Sequence, residues 1–139
     1  MREKSIRFGN FIRRIRVKDN RELTQSDVAK VLNMSLTYYS DIENNRRRPL
    51  DPEKMEKFIE LFDLTEEEKT KMYDLASIET HEIPLDIEDI FMYEETGKMA
   101  RIALRQSKAG NIEEEYWQQL IRIAEENKRK RERGDGADD

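Results

Sequence analysis

The stretch that most constrains this chain is 23–49, LTQSDVAKVLNMSLTYYSDIENNRRRP, where two helix-start signals follow each other with almost nothing between them. Thr24 is a good N-cap, and Asp27 stands three positions on, so a helix should start there and carry Val28, Ala29 and Leu32 inward. Ser35 caps again after the short Asn33-Met34 connection, and the run to Glu43 offers Tyr39 and Ile42 to a core. Two helices of about eight residues cannot persist alone in water, so they must pack crosswise on other helices. A pair of this kind is the supersecondary unit whose second helix enters a major groove.

The flanking segments supply that support. Ser5 to Lys18 reads as a first helix, with Phe8, Phe11, Ile12 and Ile15 on one face and Arg7, Arg13, Arg14 and Lys18 on or near the other. Asp51 with Pro52 predicts the start of a fourth helix, whose buried face is Met55, Phe58, Ile59 and Phe62. Thr65 caps a fifth, with Glu66, Glu67 and Glu68 at its positive end and Met72, Leu75 and Ala76 inward.

These five helices define an expected domain over 5–78, followed by a linker over 79–86 that contains Pro84 and His81, the single histidine. A helical module is expected over 87–131: a short helix ending near Gly97, a second ending by Gly110, and a third from Ile112 carrying Trp117, Leu120, Ile121 and Ala124. Trp117 reads as core or dimer interface. The last residues, 132–139, lack an apolar anchor and are expected to be disordered. The fold class is therefore all-α, with a small helical C-terminal module behind a five-helix domain.

Charge separates the two parts. The net charge of −5 hides twelve Lys/Arg against six Asp/Glu in residues 1–50 and fourteen against twenty-five in 51–139. A polyanion would meet an attractive N-terminal half, while the acidic remainder is kept away from it or makes protein contacts. The absence of cysteine excludes disulfides and thiolate metal sites. His81 has no partner with ligand spacing, so no metal, no cofactor and no catalytic residue is expected. No stretch approaches the ~20 apolar residues of a membrane span. A cytoplasmic, soluble protein and no membrane partner are the expectation.

The segment LTQSDVAKVLNMSLTYYSDIENNRRRP resembles the Cro/C1-type helix-turn-helix of phage repressors and XRE-family regulators, in its leading LTQ, Ala29, the Ser35 cap, the SDIEN run and the arginine-rich exit before proline. The resemblance implies a five-helix, lambda-repressor-like DNA-binding domain. It places Leu36, Thr37 and Asp41 toward base edges, Gln25 on a DNA phosphate, Asn44 on the backbone, and Arg16 in an ion pair with Glu43. Asn33 stands where glycine is common at the turn, and Leu36 where a polar residue is common. The tail, with EIPLDIEDIF and ALRQSKAGNIEEEYWQQLI, is similar to that of a subgroup found in mobile elements. Some family members sit beside a metallopeptidase that relieves repression, and others act as antitoxins against a toxin.

Chemistry supports these assignments one by one. Thr37 can meet a base edge or a thymine methyl, Leu36 only a methyl, and Asp41 can accept from a cytosine amine. Gln25 can present its amide beside helix-end N–H groups to a phosphate. Tyr38 has no core-side partner and can reach a phosphate or sugar, whereas Tyr39 reads as buried. Arg46, Arg47 and Arg48 can grip the phosphates flanking a half-site. The leading reading is a regulator of transcription, a repressor acting as a homodimer on an inverted repeat in double-stranded DNA. The alternative is an antitoxin that neutralises a partner and autoregulates its operon; an enzyme is not expected.

Overall fold

The computed structural model describes residues 6–134, which form eight helices and no strand. They are α1 (Phe8–Lys18), α2 (Gln25–Val31), α3 (Leu36–Glu43), α4 (Pro52–Phe62), α5 (Glu66–Thr80), α6 (Glu88–Tyr93), α7 (Glu95–Lys108) and α8 (Glu114–Glu132). The chain divides into two compact units, 1–89 and 90–139.

The start signals act as the sequence predicts. Thr24 Oγ1 accepts from the Asp27 N–H at 3.1 Å while Asp27 Oδ2 accepts from the Thr24 N–H at 2.9 Å, so two donors at the head of α2 are satisfied reciprocally. Thr65 and Glu68 repeat this box at α5, and Ser35 and Asp51 cap α3 and α4. Asn33 takes the left-handed conformation, φ 57°, that lets the chain leave α2 and enter α3 within four residues. Asparagine tolerates that region far better than most residues, because its short side chain bonds locally.

In the first unit α1 packs on α3 and α5, and α2 packs on α3 and α4. Phe8, Ile12, Val28, Leu32, Tyr39, Ile42, Met55, Phe58 and Met72 are almost wholly buried between them. Surface pairs tie the two ends of α1 to α5: Arg7 Nε to Glu79 at 2.7 Å and Lys18 Nζ to Glu68 at 2.9 Å. Exposed pairs of this kind contribute little each; the apolar face of α1 carries the contact.

Two residues that the sequence pattern passed over make the α1–α3 contact possible. Arg7, the N-cap of α1, offers no side-chain cap. The cap comes instead from Asn45, just past the end of α3, whose Oδ1 accepts from the Gly9 N–H at 2.9 Å and whose Nδ2 donates to Asn10 Oδ1 at 3.0 Å. Gly9 lets the two backbones meet, since a Cβ there would lie 2.3 Å from the Ile42 carbonyl oxygen.

Several boundaries differ from expectation. α5 runs to Thr80, so Glu79 and Thr80 are helical instead of linker, and His81 ends the helix as its left-handed C-cap. Gly97 does not end a helix; it lies in the first turn of α7, buried, where a Cβ would meet the carbonyl oxygens of Ile90 and Phe91. The sequence pattern takes glycine as punctuation, whereas here it permits α7 to start against the end of α6. α8 extends to Glu132. The expected helical start at Ser5 and most of the tail, 135–139, lie outside the described residues.

In the second unit Arg101 donates to the Phe91 carbonyl, and Trp117 Nε1 donates to Ser107 Oγ at 3.0 Å, joining α8 to α7. Gly97 is its one buried residue in α6, α7 and α8.

Asn45→Ala should cost about 2 kcal/mol, the cap bond plus the left-handed penalty, and Asn45→Gly only about 1 kcal/mol because glycine tolerates the conformation. Urea-unfolding midpoints of the two variants measure the difference, and equal losses would mean the conformational penalty is absent. Gly9→Ala should destabilise by about 1–3 kcal/mol through overpacking in the same assay.

Candidate nucleic-acid interface

α3 is an eight-residue helix with one face wholly committed to the interior. Tyr39, Ile42 and Glu43 are buried, and helical geometry turns Thr37, Asp41 and Asn44, at i, i+4 and i+7, to the opposite side. Thr37 and Asn44 are exposed and Asp41 is partly so. Leu36, 49% exposed, and Tyr38, 42% exposed, flank this outward row on its two sides. The residues that resemblance placed toward bases thus lie on the accessible side of α3.

The inward side is held by charge. Glu43, with no exposed side-chain surface, receives the Arg16 guanidinium in two bonds, Nε to Oε2 at 2.8 Å and Nη2 to Oε1 at 2.9 Å. Gln25 Nε2 adds a third donor at 2.9 Å, and Arg16 Nη1 also reaches the Leu23 carbonyl at 3.2 Å. A carboxylate out of water needs this many donors, because an unpaired buried charge is costly. Burial pushes the Glu43 pKa up, but the bonds from Arg16 and Gln25 outweigh it and leave the group below its ordinary value. The Arg16 guanidinium is raised in return, first by its bond to Glu43. Burial and the neighbouring carboxylate raise the Tyr39 phenol, so it stays protonated.

Gln25, expected on a phosphate, is half-buried at the first position of α2 and braces Glu43. Its amide nitrogen spends one hydrogen on Glu43, leaving the second, with the N–H groups at the head of α2, on the open side. Leu36 borders the same shallow surface depression as Gln25, Leu23 and Thr24.

The three arginines after α3 are not equivalent. Arg47 folds back onto the helix, with its guanidinium 4.3 Å above the Tyr38 ring and Nε 3.4 Å from Asp41 Oδ2. This gives the Asp41 carboxylate a counter-charge. Arg48 Nη2 lies 3.3 Å from Glu82 in an exposed pair. Arg46 is exposed, and among the described residues its side chain has no ion-pair or ring partner. Behind α3 lies a cavity of about 520 Å³ between α3, α4 and α5, with Met34, Tyr38, Leu50, Met55, Tyr73 and Ile83 in its wall. Thr37 does not line it.

Among the described residues no group of three or more His, Cys, Asp or Glu could hold a metal ion, and no helix is long and apolar enough to cross a membrane.

Because Glu43 is held below its ordinary value, its contribution to stability is complete above the unfolded glutamate value, about 4.3, and is lost as pH falls through the folded value. Glu43→Gln should cost about 3–5 kcal/mol at neutral pH, as removal of one partner from a buried pair does. The deficit relative to wild type should shrink on acidification below about pH 4.3. Urea unfolding across pH reads this directly, and a deficit that does not change with pH would exclude an ionised Glu43.

Residues 12–69 match the family model HTH_3, Helix-turn-helix, a span that covers most of α1, all of α2 to α4 and the start of α5. No curated protein and no solved structure matches the chain significantly. Regulators of this family are non-catalytic. The match is to a helix-turn-helix domain of the XRE type within residues 12–69, and α2 and α3 both lie inside that span.

Proposed function

We propose that the chain represses transcription by occupying an inverted repeat in double-stranded DNA, with α3 of each of two copies in successive major grooves. The observation that carries this is the division of α3: one face locked to α1 and α2 through Tyr39, Ile42 and Glu43, the other a row of short polar side chains free of the core. A reading helix must be rigid toward its support and bare toward the groove, and α3 meets both conditions.

In this reading Thr37 and Leu36 meet bases, Leu36 by apolar contact with a thymine methyl, and Asp41 accepts from a cytosine amine only when Arg47 turns to a phosphate. Arg46 grips a phosphate without giving up an internal partner. Arg47 and Arg48 exchange Asp41 and Glu82 for phosphate oxygens, and Tyr38 and Asn44 add hydrogen bonds to the backbone. Gln25 serves a phosphate with its remaining amide hydrogen, together with the head of α2. Repression requires no chemical step, only exclusion of polymerase from the promoter.

The second reading, an antitoxin that neutralises a toxin and autoregulates its operon, draws on the acidic excess of residues 51–139. A metallopeptidase that relieves repression would use the same half of the chain. Either predicts a stable hetero-complex with a basic partner.

Selection of bound duplexes by the purified protein, followed by footprinting, tests the proposal: two equivalent half-sites are expected, and binding no better than to random DNA would overturn it. Thr37→Ala should cost about 1–3 kcal/mol of discrimination at one or two base pairs. Arg46→Ala should weaken all duplexes alike and reduce the slope of log affinity against log salt by about 0.9, as loss of one phosphate contact does. Titrations at several salt concentrations separate the two effects, and identical behaviour of the variants would contradict this division of roles.

A further inference from the structure

The second unit leaves an apolar surface without a partner. α8 is 19 residues long and none of them is buried, yet Tyr116, Leu120, Ile121 and Ile123 are apolar and between 49% and 57% exposed. Trp117 bonds to Ser107 of α7, which leaves the remaining apolar positions uncovered. β-branched isoleucines are poor choices for a bare helix surface, because they lose rotamer freedom and gain no packing. Met99 and Ile102 of α7, 57% and 50% exposed, are uncovered in the same way.

The charges of α8 indicate what covers this surface. Glu113, Glu114 and Glu115 stand at its head, and Lys128, Arg129, Lys130 and Arg131 at its end, with the apolar residues in the middle. The helix dipole favours this polarity in any helix, but it gives no reason for an exposed apolar centre. A helix with one acidic end, one basic end and an apolar middle is complementary to a second copy of itself running the opposite way.

We propose that two copies of this chain pair through antiparallel α8 helices, with a two-fold axis near Arg122. Glu113 and Glu114 of one copy then meet Arg131 and Lys130 of the other, and Leu120 faces Ala124. Lys130, which lies 3.6 Å from Glu126 in its own helix, exchanges one exposed carboxylate for another. With α7 alongside, each copy supplies a helical hairpin, and the pair of hairpins makes a four-helix arrangement. Parallel pairing would set the acidic ends against each other and is disfavoured by the same charges. The inference deepens the two-fold DNA reading above by naming the surface that joins the copies.

Sedimentation of the full chain at low salt, where exposed charges are least screened, tests it. The wild type should be dimeric. Glu114→Lys with Glu115→Lys makes both ends basic and should weaken self-association about 10-fold, the sum of several modest exposed pairs. Arg129→Glu with Lys130→Glu should do the same, and all four reversals together should restore the dimer. A second arm needs no charge reversal. The chain has no cysteine, so Ile121→Cys should cross-link to itself on mild oxidation while Glu114→Cys should not. A monomeric wild type, a dimer indifferent to both reversals, or cross-linking of both cysteine variants would each overturn antiparallel α8 pairing. Footprinting the same proteins keeps the readings apart. Reversal variants that are monomeric but still protect a half-site support both the DNA reading and α8 pairing. A wild-type dimer that prefers no duplex supports α8 pairing and contradicts the DNA reading.

Discussion

The carboxylate of Glu43 has no contact with water, and the orientation of α3 follows from how that charge is satisfied. Its donors come from two other helices, Arg16 on α1 and Gln25 at the head of α2, so rotation of α3 about its axis would break three bonds and strand a buried charge. Apolar contacts at Tyr39 and Ile42 supply area but little direction; bidentate guanidinium geometry supplies direction. The pair is therefore better understood as a positioning device than as a large source of stability, since hydrophobic replacements of buried ion pairs are often at least as stable.

A second constraint acts at the other end of α3. Asn45 turns the chain in a left-handed conformation and at the same time caps α1 through Gly9, so the end of one helix supplies what the start of another lacks. The close approach of Gly9 to the Ile42 carbonyl sets the spacing between the two helices. Between Glu43 and Asn45, a short helix that could not exist in isolation becomes a rigid ridge with its outer face bare.

Charge on the outer surface is arranged as exchangeable pairs. Arg47 neutralises Asp41 and lies on Tyr38, and Arg48 lies near Glu82, so the face carries less free positive charge than its composition implies. Any polyanion approaching this face would have to compete with these internal partners, which would lower the net gain per arginine. Arg46 pays no such exchange.

The local elements were legible in the sequence because their causes are local. Thr24, Ser35, Asp51 and Thr65 begin helices through bonds to residues three positions away, and the apolar spacing of α1, α4 and α5 identified their buried faces. Resemblance, and not spacing, paired Arg16 with Glu43. The inward turn of Gln25, the Arg47–Asp41 contact, the cap from Asn45, and Gly97 as a packing residue instead of a helix end were hidden. Each depends on which backbones come within a few ångströms of each other. The sequence by itself determined where helices begin, which faces are apolar and how charge divides along the chain, since those follow from neighbours in the chain. Only the tertiary structure decided which polar groups find each other across 18 to 36 positions, because the partner of a buried donor is chosen by the space left when the apolar faces close.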